Sequence, residues 1–108
     1  MTATQKIGDT AGKRAVREAA ILVGARYDLD ADEVLSARRT SAISEARWVM
    51  FHVLYSAGWN AERISDVTTF ARSTVDQALL RIDRRMKKDK RLKAIVDACL
   101  KEAAGGAP

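Results

Sequence analysis

The sequence predicts an all-α fold, a five- or six-helix bundle containing a helix-turn-helix. Three observations lead there. Every apolar stretch repeats at helical spacing, and none alternates with the period of two that a half-buried strand requires. Helix start and stop signals punctuate the chain at Asp30, Ser44 and Gly58. Between Asn60 and Met86, two amphipathic segments are separated only by Thr68-Thr-Phe-Ala71, which leaves room for a tight turn and nothing more.

With 108 residues, 47% of them hydrophobic and 31% charged, the chain has room for one domain and a modest core. That domain is expected over 11–103, with unstructured ends at 1–10 and 104–108. From Ala11 to Tyr27, residues Val16, Ala19, Ala20, Val23 and Tyr27 form one helical stripe, with Lys13, Arg14, Arg17 and Glu18 outside it. Gly24 either weakens its last turns by up to ~1 kcal/mol or lets another helix approach closely. Asp30, with Glu33 three residues on, predicts a capping box and a short helix ending near Ser36.

Ala37-Arg-Arg-Thr-Ser-Ala42 follows as a basic, hydroxyl-rich connector. Ser44 then reads as an N-cap, with Glu45 in the first turn and Ile43 and Trp48 as a hydrophobic staple. The helix it opens is apolar nearly all round, which makes it the central one, and Gly58 is a natural stop. Ile64 and Val67 mark the next helix. Val75, Ala78, Leu79, Ile82 and Met86 mark the core face of the one after it, while Arg72, Ser73, Thr74 and Gln77 crowd its start. From Arg81 to Lys93 eight bases stand against two acids, with a break expected near Lys88–Lys90. Leu92, Ile95, Val96, Cys99 and Leu100 then carry a last helix.

Composition narrows the function. The formal net charge of +5 favours an anionic partner, nucleic acid first. Cys99 is the sole cysteine and falls in an apolar stripe, so it reads as a small buried hydrophobe. No apolar run approaches the ~20 residues of a membrane span, and no signal region is evident, which predicts a cytoplasmic, nucleoid-associated protein without membrane contact. No Cys/His cluster, phosphate loop or nucleophile–base pair is present. Catalytic residues, metals and cofactors are therefore not expected, and the lone His52 reads as structural.

The order of parts from Tyr27 to Ile82 resembles the C-terminal DNA-binding domain of the bacterial replication initiator DnaA, as a stand-alone helix-turn-helix protein. The opening Tyr27-Asp-Leu-Asp-Ala-Asp-Glu-Val-Leu-Ser36 fits that family's first motif, and Arg38-Arg39-Thr40-Ser41 fits its basic loop. Arg47 stands where a buried helix is entered through a basic residue. Ile64-Ser-Asp66 and Arg72-Ser-Thr-Val75 match parts of its helix-turn-helix. The family's Gly-Gly-Arg-Asp-His portion is replaced here by Thr68-Thr-Phe-Ala-Arg72, which loses two base-reading residues; Ala71 also cannot supply the polar cap of Trp-repressor-like motifs. The resemblance implies Arg72, Ser73 and Thr74 in a major groove, Arg38 or Arg39 in the adjacent minor groove, and Arg47 on a phosphate. With Thr40, Ser41, Gln77, Arg81, Lys87 and Lys88 these form the candidate DNA-contacting set.

The expected function is sequence-specific double-stranded DNA binding by a bacterial or phage regulator of transcription or replication. The alternative is a protein-interaction module of the same fold that binds a host replication or transcription protein through Trp59 and Phe70, whose other reading is the edge of the core. Monomer and dimer both remain open.

Overall fold

The computed structural model describes residues 2–105, with side chains from Thr10 onward. Six helices occupy them in the order α1 (Thr2–Gly24), α2 (Ala31–Leu35), α3 (Ser41–Ser56), α4 (Ala61–Val67), α5 (Arg72–Met86) and α6 (Lys90–Gly105), and no strand occurs among the described residues. The all-α expectation holds.

Helix α3 is the axle. It touches each of the other five helices and contributes Val49, Met50, Phe51, Val53 and Leu54 to the core. Around it close Val16, Ala20 and Val23 of α1, Val34 of α2, Ile64 of α4, Val75 and Ile82 of α5, and Leu92, Val96 and Cys99 of α6. A helix apolar on nearly every side stabilises a bundle only if it is wrapped this way, because burial is worth ~25 cal/mol per Å² of apolar surface.

Local chemistry sets the helix ends. The backbone of α1 is helical from Thr2, ahead of the Ala11 start that periodicity gives; Gly8 costs a helix only ~1 kcal/mol and does not stop it. At the other end, the Tyr27 and Leu29 amides both donate to the Gly24 carbonyl (2.9 Å each), folding the chain back on itself. A Cβ at Gly24 would stand 2.5 Å from the Leu29 oxygen of the turn and 3.3 Å from Val34 Cγ2 of α2, so both the returning turn and the next helix approach closely there. Asp30 and Glu33 form the expected capping box, with bonds of 2.8 and 3.0 Å.

The start of α3 corrects the sequence reading. Thr40 is the N-cap, its Oγ1 accepting from the Ile43 amide (3.2 Å), and Ser44 lies inside the helix. The helix begins where a hydroxyl on extended backbone reaches an orphan amide, so the last two residues of the basic connector, Ser41 and Ala42, become helix. Ile43 and Trp48 then both fall within α3 and cannot staple its entrance. Glu45 is buried, not displayed on a first turn: it is 8% exposed, accepts from Tyr27 Oη (2.6 Å) and receives Arg91 Nη2 at 2.9 and 3.2 Å. That network ties the α1–α2 turn and the first turn of α6 to α3. Gly58, at φ 104°, ends α3 as expected.

Asn60 caps α4 by accepting from the Arg63 amide (2.8 Å). The turn that follows is fastened by hydroxyls: Thr68 Oγ1 donates to the Ile64 carbonyl (2.8 Å) and Ser65 Oγ to the Phe70 carbonyl (2.9 Å). Ala71 gives α5 no side-chain cap, as its methyl group requires. The break between α5 and α6 falls where expected, with Asp89 accepting from the Leu92 amide (3.0 Å). Ala104 and Gly105 belong to α6; of the tail expected to be unstructured, 106–108 lie outside the described residues.

Candidate nucleic-acid interface

Helix α5 lies across α3 on a stripe formed by Val75, Ala78 and Ile82, which leaves a flank open on each side. The two flanks differ in chemistry. At ~100° per residue, the nine steps from position 72 to position 81 carry a side chain to the opposite side of the helix. Ser73, Thr74, Gln77 and Arg81 therefore share one flank, while Arg72, Asp76, Leu80 and Asp83 share the other.

The first flank walls a groove of about 550 Å³, closed on its far side by Ala37, Arg39, Ser44, Arg47 and Trp48. No carboxylate lines it. The basic loop and the start of α5, distant in sequence, thus meet in one cationic trough. Trp48, half-buried in its wall, lies beneath two guanidinium groups, Arg81 at 6.0 Å and Arg85 at 5.5 Å from the ring centroid. Cation–π contact holds both arginines over the groove side of α5. Arg85, Trp48 and Ser44 are absent from the sequence-derived set. The i, i+4 spacing of Arg81 and Arg85 was the available signal; that Trp48 of another helix lies beneath them was not in the sequence.

The second flank walls a different depression, lined by His52, Tyr55, Ala61, Arg72, Asp76, Leu79, Leu80 and Asp83. Arg72 is exposed (65%), yet its guanidinium faces Glu62 at 3.9 Å and Asp76 at 3.8 Å. It is therefore parted from Ser73 and Thr74 despite adjacency in sequence. Burial holds the His52 pKa below the ordinary imidazole value, against the opposing pull of Asp83 and Asp97.

Arg47 lines the first groove but is not a surface cation. It is 7% exposed and turned inward, because the start of α3 points it at the returning α2 segment. Its Nε donates to the Val34 carbonyl (3.2 Å) and its Nη2 to the carbonyls of Ser36 and Arg38 (2.9 Å to the latter). Its guanidinium also stacks on Phe70, 4.8 Å from the ring centroid. A group so engaged is not a free surface cation, although burial and the nearby Arg39 lower its pKa only from a very high starting value and it stays charged.

Of the other candidates, Arg38, Thr40 and Ser41 are exposed at the mouth of the loop, and Thr40 spends its hydroxyl on the α3 cap. Lys87 and Lys88 are exposed at the far end of α5, ~21 Å from its first residue at 1.5 Å per residue. Lys87 pairs with Asp83 at 3.7 Å. Trp59 and Phe70, offered as exposed anchors for the interaction-module alternative and otherwise as the edge of the core, are half-buried at that edge. Trp59 packs by Gly12 of α1 under Arg63 (4.2 Å), and Phe70 meets Phe51 edge-on at 5.6 Å.

The described residues thus form an all-helical unit in which an acid-free groove joins a basic loop to a four-residue turn and a long helix. No family model matches the chain, and no curated protein does. A solved structure, described as the crystal structure of a DNA replication initiation factor, superposes on it with a TM-score of 0.76 at 18% identity. The match covers 92% of this chain and 31% of that one, so the fold is shared with a part of that factor. No helix among the described residues is long and apolar enough to cross a membrane.

Proposed function

We propose that the protein binds double-stranded DNA with sequence preference, as a bacterial or phage regulator of replication or transcription. In this reading it holds a duplex in the manner of the DnaA C-terminal domain, with α4, the turn and α5 as a helix-turn-helix. The observation that carries the reading is the acid-free groove in which Arg39 faces Ser73, Thr74, Gln77 and Arg81. The likeness to a replication initiation factor supports it.

The chemistry follows from placement. Ser73, Thr74 and Gln77 present hydroxyl and amide groups on the first turns of α5, short enough to meet base edges when the helix enters a major groove. Arg81 and Arg85, steadied by Trp48, suit the phosphates flanking that groove, and the uncapped amides at the start of α5 add anion-binding capacity. Arg39 reaches outward from the loop toward the neighbouring minor groove, where guanidinium is favoured by narrow A/T-rich segments. Arg72 has no place in this scheme, since rolling α5 to present it would bring Asp76 and Asp83 onto phosphate. The family's Asp and His are missing from the turn, so the preferred site differs from the family's box. Binding requires no cofactor, metal or chemical step, and the site of action is the nucleoid.

Selection of bound sequences from a random duplex pool tests the reading. A recurring motif is expected, palindromic for a dimer or a single asymmetric site for a monomer. An unenriched pool, with equal affinity for every duplex, refutes it and favours a protein-interaction module.

A further inference from the structure

We infer that Arg47 is a positioning residue that sets the minor-groove arm of the interface from inside the fold, and that Arg39, not Arg38, is the arginine it presents. The inference rests on the DNA-binding reading above, which places Arg39 at the minor groove, and adds what holds it there and why Arg38 is not the one presented.

The bonds single out the segment they fix. Between the end of α2 and the Thr40 cap, the chain passes through Arg38 and Arg39 outside any helix, with extended backbone at Ser36 and at Thr40. Its carbonyls at Ser36 and Arg38 are both taken by the Arg47 guanidinium, which also holds Val34. Tying the Ser36 and Arg38 carbonyls inward fixes how this short segment presents its side chains: Arg39 lines the groove and Arg38 does not.

The same guanidinium lies on Phe70, whose carbonyl is held by Ser65 and whose ring meets Phe51 of α3. One planar cation thus bears on the basic loop with its edge and on the turn before α5 with its face. The two groove-reading parts of the interface are held in register through it. Lysine cannot reproduce this, since an ammonium has neither the fork that spans three carbonyls nor the plane that stacks.

The test exploits a base pair that separates the grooves. Inosine–cytosine shows a minor groove like that of adenine–thymine and a major groove like that of guanine–cytosine. With the selected duplex, wild-type protein is expected to accept I·C for A·T at the minor-groove positions and to reject G·C. Arg47→Lys should lose about tenfold in affinity, ~1.4 kcal/mol, through collapse of that discrimination. Its preference at the positions read by α5 should remain. Arg39→Ala should show the same collapse, Arg38→Ala should not, and the Arg39→Ala/Arg47→Lys pair should be no worse than Arg39→Ala alone.

Phe70→Leu keeps every carbonyl bond donor and removes the aromatic surface under Arg47, together with the edge contact to Phe51. It should reproduce the collapse in weaker form, which keeps the inference testable should Arg47→Lys unfold. Retained discrimination in both Arg47→Lys and Phe70→Leu, equal loss at both sets of positions, or collapse in Arg38→Ala in place of Arg39→Ala overturns the inference. A wild-type protein that selects no sequence would instead overturn the DNA-binding reading itself, a distinct result.

Discussion

Replacing Glu45 by glutamine probes the tie that fastens α6 to the rest of the fold. The carboxylate is 8% exposed and accepts a 2.6 Å bond from Tyr27 and a forked contact from Arg91. Glutamine preserves volume and one acceptor, but it removes the charge and turns an N–H₂ donor toward two donors. Arg91 stands in solvent, so its loss is small and screened by salt. The Tyr27 bond is partly buried and charge-assisted, and weakening it should cost ~1–2 kcal/mol. For a domain of this size that lowers Tm by about 5–15 °C.

The effect should depend on pH. Burial by itself raises the Glu45 pKa, but the bonds from Arg91 and Tyr27 outweigh it and hold the group below its ordinary value. A carboxylate depressed in the folded state stabilises above the unfolded pKa, and that contribution fades as pH falls through the folded value. Tyr27, raised by burial and by Glu45, stays protonated throughout and does not shape the curve. Thermal melts by circular dichroism from pH 7 to pH 3 should show a gap between wild type and Glu45→Gln that is full at neutrality and narrows below pH ~4. A gap as wide at pH 3 as at pH 7, or no gap at pH 7, would refute the reasoning.

Other substitutions separate fold from interface. Arg81→Ala should weaken duplex binding by about tenfold, whereas Arg72→Ala should change it by less than about twofold, as read by gel shift; the reverse order would mean that α5 presents its other flank. Removing Arg81 and Arg85 together should flatten the dependence of log affinity on log salt by about 2, one phosphate contact each. Gly24→Ala sets a Cβ against the Leu29 carbonyl and should destabilise by ~1–3 kcal/mol in urea titration, although alanine is the better helix former. Thr40→Ala should cost ~1 kcal/mol through the lost α3 cap, and Ser44→Ala much less.

Features written in neighbouring residues were legible in the sequence. The Asp30–Glu33 box, the stop at Gly58, the four-residue turn and the uncapped Ala71 each depend on a few positions and appear in the structure as read. Ser44 was read as the α3 cap and Thr40 was left in the connector, because both carry hydroxyls and the choice between them lies in how α3 meets α2. Arg47 was misread for a stronger reason: its partners lie 9 to 13 residues before it and 23 after it. A surface cation and a buried fork look identical until those segments converge. Arg72 is different. Helical geometry alone places it opposite Arg81, and counting it with Ser73 and Thr74 treated a helical turn as though it had one side. Trp59 and Phe70 could not be placed until α1 and α3 were seen beside them.

Cys99, the sole thiol, is sealed between α6 and the body of the molecule, and burial raises its pKa. An alkylating reagent can reach it only when α6 lifts away, so modification becomes a clock for that detachment. Its rate divided by that of an open thiol gives the fraction of time the last helix spends undocked. The chain carries this gauge without any label having to be introduced.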